Sequence, residues 1–286
     1  MGTTPLSRLA ILQPETRIHH LTMAASPLPP ALLEGLDQQR TLLLAGPRLA
    51  GSAPTSLPSE EESLRLRLGA IAGDDDSLQP YVEEILALDT TAHFIDGLLF
   101  QLLSETYLET YIPLQRREPN RNHRLLARLV AQGNIPMIVH LNLDSYLERA
   151  LQDEGLQWGK DFHVVAGEDA FHHFVQEDPP EGTILLKIYG TWDRASSLRE
   201  NLGEMDLLPQ SVRGQYLTEI LQDKNAIVVG AERDDVRGDS VLDAIEGTQN
   251  APLWVTGPEE EAREWDDLAP IRSTGIDATA FLEALC

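Results

Sequence analysis

The hydrophobic positions of this chain follow two spacings that alternate along its second half. Short apolar runs typical of buried strands alternate with stretches of about ten to fifteen residues whose apolar positions recur every three or four residues. The predicted strands are 41–46, 135–141, 161–167, 183–190, 225–232 and 251–257, the last being the final strand, and the predicted helices are 31–39, 120–134, 144–155, 211–223 and 239–247. Strands that alternate with helices form βαβ units, and right-handed crossovers place the helices on both faces of the sheet. The pattern therefore predicts an α/β fold with a doubly wound, Rossmann-like parallel sheet.

The stretch between the first two predicted strands is different, because its apolar residues keep helical spacing throughout. It covers about residues 60–118, is broken at the acidic turn Gly73–Ser77, and predicts an all-helical insertion after the first strand. Residues 1–38 are rich in proline at their start and predict an N-terminal arm followed by a helix. The remainder, 39–286, is predicted to be one Rossmann-like domain that carries the insertion.

The chain is strongly acidic, since 46 acidic and 22 basic residues among 286 give a net charge of −24. Such a surface repels phosphates and anionic lipids, so direct binding of nucleic acid is not expected. The charge keeps a protein soluble and also suits a basic partner, and we expect a protein partner or a homo-oligomer. No run approaches the roughly 20 apolar residues of a membrane span, and the N-terminus lacks a secretory pattern, so we expect a cytoplasmic location and no membrane attachment.

Metal chemistry has little support in the sequence. The single cysteine, Cys286, excludes an internal disulfide and a zinc site built on cysteines. The adjacent histidines His172 and His173 diverge on either a strand or a helix, so they are not expected to ligate one ion together. No metal site is predicted.

Polar residues and glycines follow most of the predicted strands. The carboxyl ends of parallel strands meet at one edge of a sheet, where ligands of open α/β folds bind. Asn142 and Asp144 end the strand that begins at Ile135, directly before a helix. Asp144 or Ser145 would suit the cap of that helix, and capping explains Asp144 better than catalysis does. A cap needs only one such residue, so Asn142 stays a candidate for ligand binding.

Five segments, in this order, resemble motifs of the sirtuin-like family, especially its bacterial NAD-cleaving branch. They are AGP at 45–47, HLNLDSYLERAL at 140–151, KIYG at 187–190, VVGAERDD at 228–235 and LWVTGPEEE at 253–261. The resemblance spans roughly residues 40–260 and rests on the order of the motifs, since none of them is specific alone. It implies a sirtuin-like domain that binds NAD or ADP-ribose at the strand ends.

The resemblance also implies roles for single residues. Asn142 stands where the family has an Asn that orients the nicotinamide ribose, Asp144 follows it, and Tyr189 stands where the family has its general base, a histidine. The residues implied to contact the cofactor are Ala45, Gly46, Arg48, Gly190, Gly230 and Asp235.

Four departures from the family pattern bear on activity. A phenol with a pKa of about 10 is a poor base at neutral pH unless a cation lowers that pKa. Lys187 would face the same side as Tyr189 only if the predicted strand stays regular. Pro47 removes one N–H donor from the loop that would cradle the diphosphate, and Ala231 replaces an aromatic residue. The four-cysteine zinc module of the family's deacetylases is absent, so protein deacylation is not expected.

Three functions remain open on this evidence. The one we favour is a sirtuin-like domain with an eroded NAD site, which acts as a catalytically impaired or ligand-binding subunit of a bacterial conflict or defence assembly. The alternative is an active NAD⁺ glycohydrolase that depletes NAD, in which Asn142 and Asp144 place the water. The third is an interaction module that binds no nucleotide. His140 shares a strand face with Asn142, and it is either a substitute base or a histidine bound to a backbone carbonyl.

Overall fold

A computed structural model describes residues 28–37, 41–51, 60–73, 77–88, 95, 99, 109–110, 117–176, 180–194, 197, 215–217, 220, 225–231, 253–257, 263, 265 and 271–286. Within these ranges the strands are β1 Thr41–Ala45, β2 Met137–His140, β3 Phe162–Ala166, β4 Thr183–Lys187, β5 Asn225–Val229, β6 Leu253–Val255 and β7 Ile271–Ser273. The helices are α1 Pro30–Asp37, α2 Glu60–Ala72, α3 Gln79–Leu86, α4 Arg121–Ala131, α5 Tyr146–Asp153, α6 Glu168–Gln176 and α7 Ala278–Leu285, and a short 3-10 helix, Pro47–Gly51, follows β1.

The seven strands form one sheet in the order β3-β4-β2-β1-β5-β6-β7. Every neighbouring pair is parallel. The chain leaves β1 toward β2 on one side and leaves β5 toward β6 on the other, so the strand order reverses between β1 and β5. This reversal is the position at which open α/β sheets bind ligands beyond the carboxyl ends of their strands.

Each face of the sheet packs against its own group of helices, which confirms the doubly wound α/β architecture. Alternate strand residues such as Leu44, Val139 and Leu186 pack with Phe171 of α6 on one face. The other set, which includes Ile138 and Leu185, packs with α1, α4, α5 and α7 on the opposite face. The two cores explain why the strands are continuous apolar runs, because both of their faces are buried.

The segment between β1 and β2 contains helices and no strand among its described residues. Its helices α2 and α3 have a small core of their own, formed by Leu64, Leu68, Ala72, Val82 and Ile95. The leucines of α1 instead belong to the core of the main sheet. The division into an arm and a domain stays a prediction, and residues 1–27 of the arm lie outside the described residues.

Helix α4 is preceded by a capping asparagine and followed by a glycine. The Asn120 side chain accepts a hydrogen bond from the His123 amide (3.0 Å), and Nδ1 of His123 accepts one from the Asn120 amide (3.3 Å). Gly133, with a φ of 77°, follows the helix in the left-handed conformation that favours glycine. The helix delivers the chain directly to β2.

The structure also departs from the sequence predictions. The run 251–257 is not the final strand, since β7 pairs with β6 and is followed by α7. Strand β4 ends at Lys187, three residues before the end of its predicted run. The predicted helix 211–223 is described only at residues 215–217 and 220, which are helical, and the predicted helix 239–247 lies outside the described residues. No helix of the described part is long and apolar enough to cross a lipid bilayer.

The missed helix α7 gives the first prediction. Phe281 is fully buried against the main core, so Phe281→Ala is expected to cost about 3–5 kcal/mol of unfolding free energy in urea titrations. Glu283→Ala on the same helix, which removes an exposed ion pair with Arg121, is the matched control and should cost less than about 1 kcal/mol. Equal costs for the two variants would contradict the packing of α7 on the sheet.

Candidate functional site

The ends of β1, β2 and β4 meet at one edge of the sheet, as the strand-end prediction requires. The Leu141 amide donates to the Ala45 carbonyl oxygen (2.9 Å), and Nδ2 of Asn142 reaches the Gly46 carbonyl oxygen at 3.5 Å. From the β4 side, the Trp192 amide donates to the Leu143 carbonyl oxygen (3.0 Å). The residues after three strands are therefore joined by hydrogen bonds between backbone and side-chain groups.

The loop after β1 uses its backbone amides within the protein. The Gly46 amide donates to the Val229 carbonyl oxygen (3.0 Å), and the Arg48 amide donates to the Gly230 carbonyl oxygen (2.7 Å). The Leu49 amide donates back to the Gly46 carbonyl oxygen (3.0 Å), and Pro47, which directly follows Gly46, has no N–H. In this arrangement, residues 46–49 do not fit a diphosphate group held by backbone amides.

The two glycines at this place are explained by the contact between the loop and the end of β5. A Cβ on Gly46 would lie 2.3 Å from Cβ of Ala231. Gly230 has a φ of 65°, and a Cβ there would lie 2.5 Å from the Leu49 amide nitrogen. Both glycines allow the loop to lie directly on the β5 end, at the reversal of the strand order. Close backbone packing accounts for them without a ligand.

Asn142 is buried, with 7% of its surface exposed, in the turn that joins β2 to α5. Its Nδ2 makes only the 3.5 Å contact with the Gly46 carbonyl oxygen, and its Oδ1 has no hydrogen-bond partner among the described residues. An unpaired buried amide oxygen costs free energy, so this atom is suited to a donor from outside the chain. Asn142 is thus the predicted site residue whose geometry most favours a ligand.

Asp144 directly precedes Ser145, the N-cap residue of α5, and is a buried charge. Its Oδ1 accepts from the Tyr146 amide at the first turn of α5 (3.0 Å), while its Oδ2 has no partner among the described residues. Burial alone would raise the pKa of Asp144, but the nearby His140, His123 and Lys187 and the Tyr146 amide together hold that pKa below its ordinary value. The residue is therefore a carboxylate near neutral pH.

Lys187 is completely buried and ties the β4 end to the turn after β2. Its Nζ donates to Oε1 of Glu148 (2.8 Å), to Oγ1 of Thr191 (3.3 Å) and to the Asp144 carbonyl oxygen. Oγ1 of Thr191 in turn donates to the Leu143 carbonyl oxygen (3.3 Å). The lysine charge is compensated by a glutamate of α5, on the face of the sheet that α4 and α5 cover.

Tyr189 lies away from this lysine. It follows β4 in a turn closed by the Gly190 amide and the Lys187 carbonyl oxygen (3.1 Å), and it packs against the core on the other face of the sheet. The Lys187 ammonium group donates to Glu148 on the opposite face of the sheet, because the strand ends at Lys187 and its regular alternation does not continue to Tyr189. Gly190 has a φ of 86°, and a Cβ there would lie 2.6 Å from the Ser197 carbonyl oxygen.

His140 has the arrangement of a structural histidine. It is fully buried, and its Nδ1 lies 3.1 Å from the Asn142 carbonyl oxygen, which identifies Nδ1 as the protonated nitrogen. Burial is the main cause that lowers the pKa of His140 to about 4. A neutral, enclosed imidazole of this kind does not replace a general base at the surface, so the structure supports the backbone-carbonyl alternative.

Three predicted site residues remain, namely Ala45, Arg48 and Asp235. Ala45 is buried in β1, between β2 and β5. Arg48 is exposed beside the strand ends. Asp235 lies outside the described residues. Within the described part, no group of three or more His, Cys, Asp or Glu residues is arranged to hold a metal ion.

Sequence reasoning missed the charged layer beneath the strand ends. Glu148 stands beside Arg149 in the sequence, yet its partner in the structure is Lys187, and the Arg149 guanidinium lies over the Tyr146 ring at 5.0 Å. The available signal was a lysine inside an apolar strand, because a buried lysine requires an oppositely charged partner. A helix that follows the neighbouring strand is the natural place to seek it.

Packing of the loop on the β5 end gives the second prediction. Gly46→Ala is expected to destabilise the fold by about 1–3 kcal/mol in urea titrations, because its methyl group meets Ala231. Gly69→Ala is the matched control: it lies within α2, its Cβ would meet nothing within 4 Å, and it should stabilise by up to about 1 kcal/mol. If the Gly46 variant matched the Gly69 variant, the tight loop contact would be refuted.

The enclosed imidazole gives the third prediction, which concerns pH. The pKa of His140 is about 4 in the folded chain and 6.5 for an ordinary histidine, so its contribution to stability is complete above about pH 6.5 and is lost as the pH falls toward 4. Between about pH 7.5 and about pH 5 the loss amounts to about 2 kcal/mol. The measurement is the free energy of unfolding in urea at both pH values.

His140→Gln is the comparison for this experiment. It removes the titrating group, so the stability of this variant should change less over the same pH interval, whatever its stability at the higher pH. The lowered pKa of Asp144 also makes the stability decrease as the pH falls. This loss occurs below the ordinary pKa range of a carboxyl group, and therefore at lower pH than the loss due to His140. Identical pH slopes for the variant and the natural chain would show that His140 is not the group concerned.

Comparisons with known proteins find solved sirtuin structures that are similar to the chain at low identity. No protein-family model and no curated protein sequence matches the chain. It is similar to a sirtuin whose structure describes the structural basis of substrate affinity, with 14% identity and a TM-score of 0.47. The match covers 90% of this chain and 97% of that one. It is also similar to a Sir2 mutant with a deacetylated p53 peptide and 3'-O-acetyl ADP-ribose (14%, TM-score 0.48, covering 89% and 96%) and to Sir2 with a p53 peptide and NAD⁺ (14%, TM-score 0.43, covering 89% and 95%). Likeness at this level concerns the fold alone, and the α/β assignment rests on the parallel sheet.

Proposed function

We propose that this chain is a sirtuin-like domain whose NAD site has eroded and that it does not turn over NAD⁺. It serves as a non-catalytic, or at most ligand-binding, subunit of a protein assembly. The order of its motifs resembles the bacterial NAD-cleaving branch, and a conflict or defence assembly is the setting that this resemblance implies.

The observation that carries the proposal is the engagement of the loop after β1. The amides of Gly46, Arg48 and Leu49 already donate to carbonyl oxygens of the protein, and Pro47 has no amide hydrogen. A diphosphate bound there would have to displace these bonds and separate the loop from the β5 end. The exposed Arg48 side chain could attract a phosphate, but a single surface charge gives little of the orientation that several fixed amides provide.

The position of the tyrosine supports the same conclusion. Tyr189 stands where the family's histidine would act as a base, and Lys187 is paired with Glu148 on the other face of the sheet. His140 does not take over the role, since it is enclosed and has a pKa of about 4. Loss of a positioned general base typically costs about 10²–10⁴-fold in rate.

An active NAD⁺ glycohydrolase remains the second candidate, and a specific observation favours it. Oδ1 of Asn142 and Oδ2 of Asp144 are buried acceptors without partners among the described residues, next to the strand ends. Two such acceptors could hold a water against the ribose. Cleavage of the glycosidic bond passes through an oxocarbenium-like state and needs less help from a base than acyl transfer does.

The fourth prediction separates the two candidates. Purified protein incubated with NAD⁺ is expected to release no nicotinamide above the rate of buffer, measured by liquid chromatography over several hours. Tyr189→His is expected to stay inactive as well, because an imidazole at this position leaves the loop amides engaged. The combined variant Pro47→Gly with Tyr189→His tests whether both losses must be reversed.

Asn142→Ala is the control for any signal. Nicotinamide release by the natural chain that disappears in Asn142→Ala would overturn the proposal in favour of the glycohydrolase. Release that persists in Asn142→Ala would point to a contaminating enzyme. Calorimetry with ADP-ribose then distinguishes a ligand-binding subunit from an interaction module that binds no nucleotide.

A further inference from the structure

Three buried polar atoms near the turn after β2 have no hydrogen-bond partner among the described residues. They are Nε2 of His123 in α4, Nε2 of His140 in β2 and Oδ2 of Asp144, which precedes α5. The three residues are 1%, 0% and 2% exposed, so bulk solvent does not reach these atoms. Buried polar groups of folded proteins are bonded either to the protein or to ordered water, so each of the three atoms requires a partner.

The three residues lie around one space between α4, β2 and the start of α5. The His123 ring packs edge-on against the Tyr146 ring, with 5.7 Å between the centroids, and the Tyr146 amide donates to Oδ1 of Asp144 (3.0 Å). The His140 ring is bonded to the carbonyl oxygen of Asn142, two residues before Asp144. Burial lowers the pKa of both histidines, and the nearby Asp144 carboxylate is the largest effect in the opposite direction on each of them.

The capping of α4 determines which nitrogen of His123 carries the proton. Nδ1 of this ring accepts from the Asn120 amide (3.3 Å), so Nδ1 is the unprotonated nitrogen. Burial lowers the pKa of His123, and the ring is therefore neutral near pH 7 with its proton on Nε2. Nε2 of His123 is thus a buried donor that has no acceptor among the described residues.

His140 has the opposite tautomer. Its Nδ1 carries the proton that is donated to the Asn142 carbonyl oxygen, so its Nε2 is a buried acceptor. Oδ2 of Asp144 is a second acceptor, and it belongs to a carboxylate whose other oxygen is already bonded. One donor and two acceptors therefore remain. A direct bond from His123 to either acceptor would leave the other one unpaired.

We propose that a single internal water molecule binds between His123, His140 and Asp144. The water accepts from Nε2 of His123 and donates one hydrogen to Nε2 of His140 and the other to Oδ2 of Asp144. All three atoms are then paired, and about three hydrogen bonds is the usual number for a buried water. A metal ion does not fit the same atoms, because a protonated Nε2 has no lone pair to give it.

The water site changes what the candidate functional site can offer to a ligand. The water joins the first turn of α4 to the turn that carries Asn142 and Asp144, and it compensates the buried carboxylate. Oδ2 of Asp144 is then used inside the protein, so that of the two unpaired oxygens only Oδ1 of Asn142 remains for a ligand. Asp144 would accordingly not place a water against a ribose, whether or not the chain binds NAD⁺.

The fifth prediction is read from the natural chain with isotope-labelled histidines. Long-range proton–nitrogen NMR spectra near neutral pH should show neutral rings for both residues, with His123 protonated at Nε2 and His140 at Nδ1. The ring N–H of His123 should also give a cross peak at the water frequency with opposite signs in NOE and ROE spectra, as a long-lived bound water does. Proton exchange with solvent would give the same sign in both spectra.

The chain contains its own controls for this measurement. His172 and His173 are exposed on α6, so their ring protons should exchange with solvent and give no signal of a bound water. The resonances that disappear in His123→Gln and in His140→Gln assign the two buried rings. The conclusion itself is drawn from the natural chain and does not require that either variant be stable.

A crystal structure of the same chain provides the second measurement. It should show one ordered water within about 3.2 Å of all three atoms. A direct bond from His123 or Arg149 to Oδ2 of Asp144, with no water between the three residues, would overturn the proposal. Protonation of His123 at Nδ1, or a metal ion bound to Nε2 of both histidines, would overturn it as well. Nicotinamide release from NAD⁺ affects none of these results, so they are independent of the proposed function.

Discussion

The contact between the loop after β1 and the end of β5 is the constraint on which the rest of the candidate site depends. Backbone hydrogen bonds join Gly46 to Val229 and Arg48 to Gly230, and glycines at both sides allow an approach that any Cβ would prevent. The strand order reverses between β1 and β5, so this contact occupies the place where a doubly wound sheet would receive a dinucleotide. The glycines therefore have a structural explanation, and their presence alone is no argument for a cofactor.

A second constraint lies beneath the strand ends, where Lys187 is buried with no exposed surface. Its ammonium group is compensated by Glu148 and by two further oxygen atoms, and these bonds fix the turn that carries Asn142 and Asp144 against the end of β4. Removing one partner of a buried ion pair costs about 3–5 kcal/mol, since the other charge is left without compensation. The candidate site residues are thus held by an architectural network, and the same network directs the lysine away from Tyr189.

The fold was largely predictable because its strands are buried on both faces. Runs such as Leu42–Ala45 and Ile184–Leu186 are apolar without interruption, and the amphipathic helices between them, such as α4 and α5, are distinct in spacing. Strand β7 was missed because it has only three residues, one of them Arg272 and another a serine, so no apolar run marks it. Strand β7 is defined by its pairing with β6, and this tertiary contact is not indicated by the local sequence.

Less of the site was predictable, because the choice of partners is three-dimensional. The sequence indicated that Asn142 and Asp144 lie at a strand end, and it left open whether His140 is a base or a structural residue. The bond from His140 to the Asn142 carbonyl oxygen, the pairing of Lys187 with Glu148 and the use of the loop amides all depend on how neighbouring strands are aligned. Alternation along one strand gives the face of a residue, but it does not identify the group opposite.

The most direct test of the account is backbone amide NMR of Gly46, Arg48 and Leu49 during a titration with ADP-ribose, with hydrogen exchange measured at both end points. Because these amides already donate within the protein, the account predicts slow exchange without ligand and no change in their shifts at millimolar ADP-ribose. Fast exchange without ligand, followed by protection and large shift changes on addition of ADP-ribose, would contradict it, since the loop would then be a working diphosphate cradle.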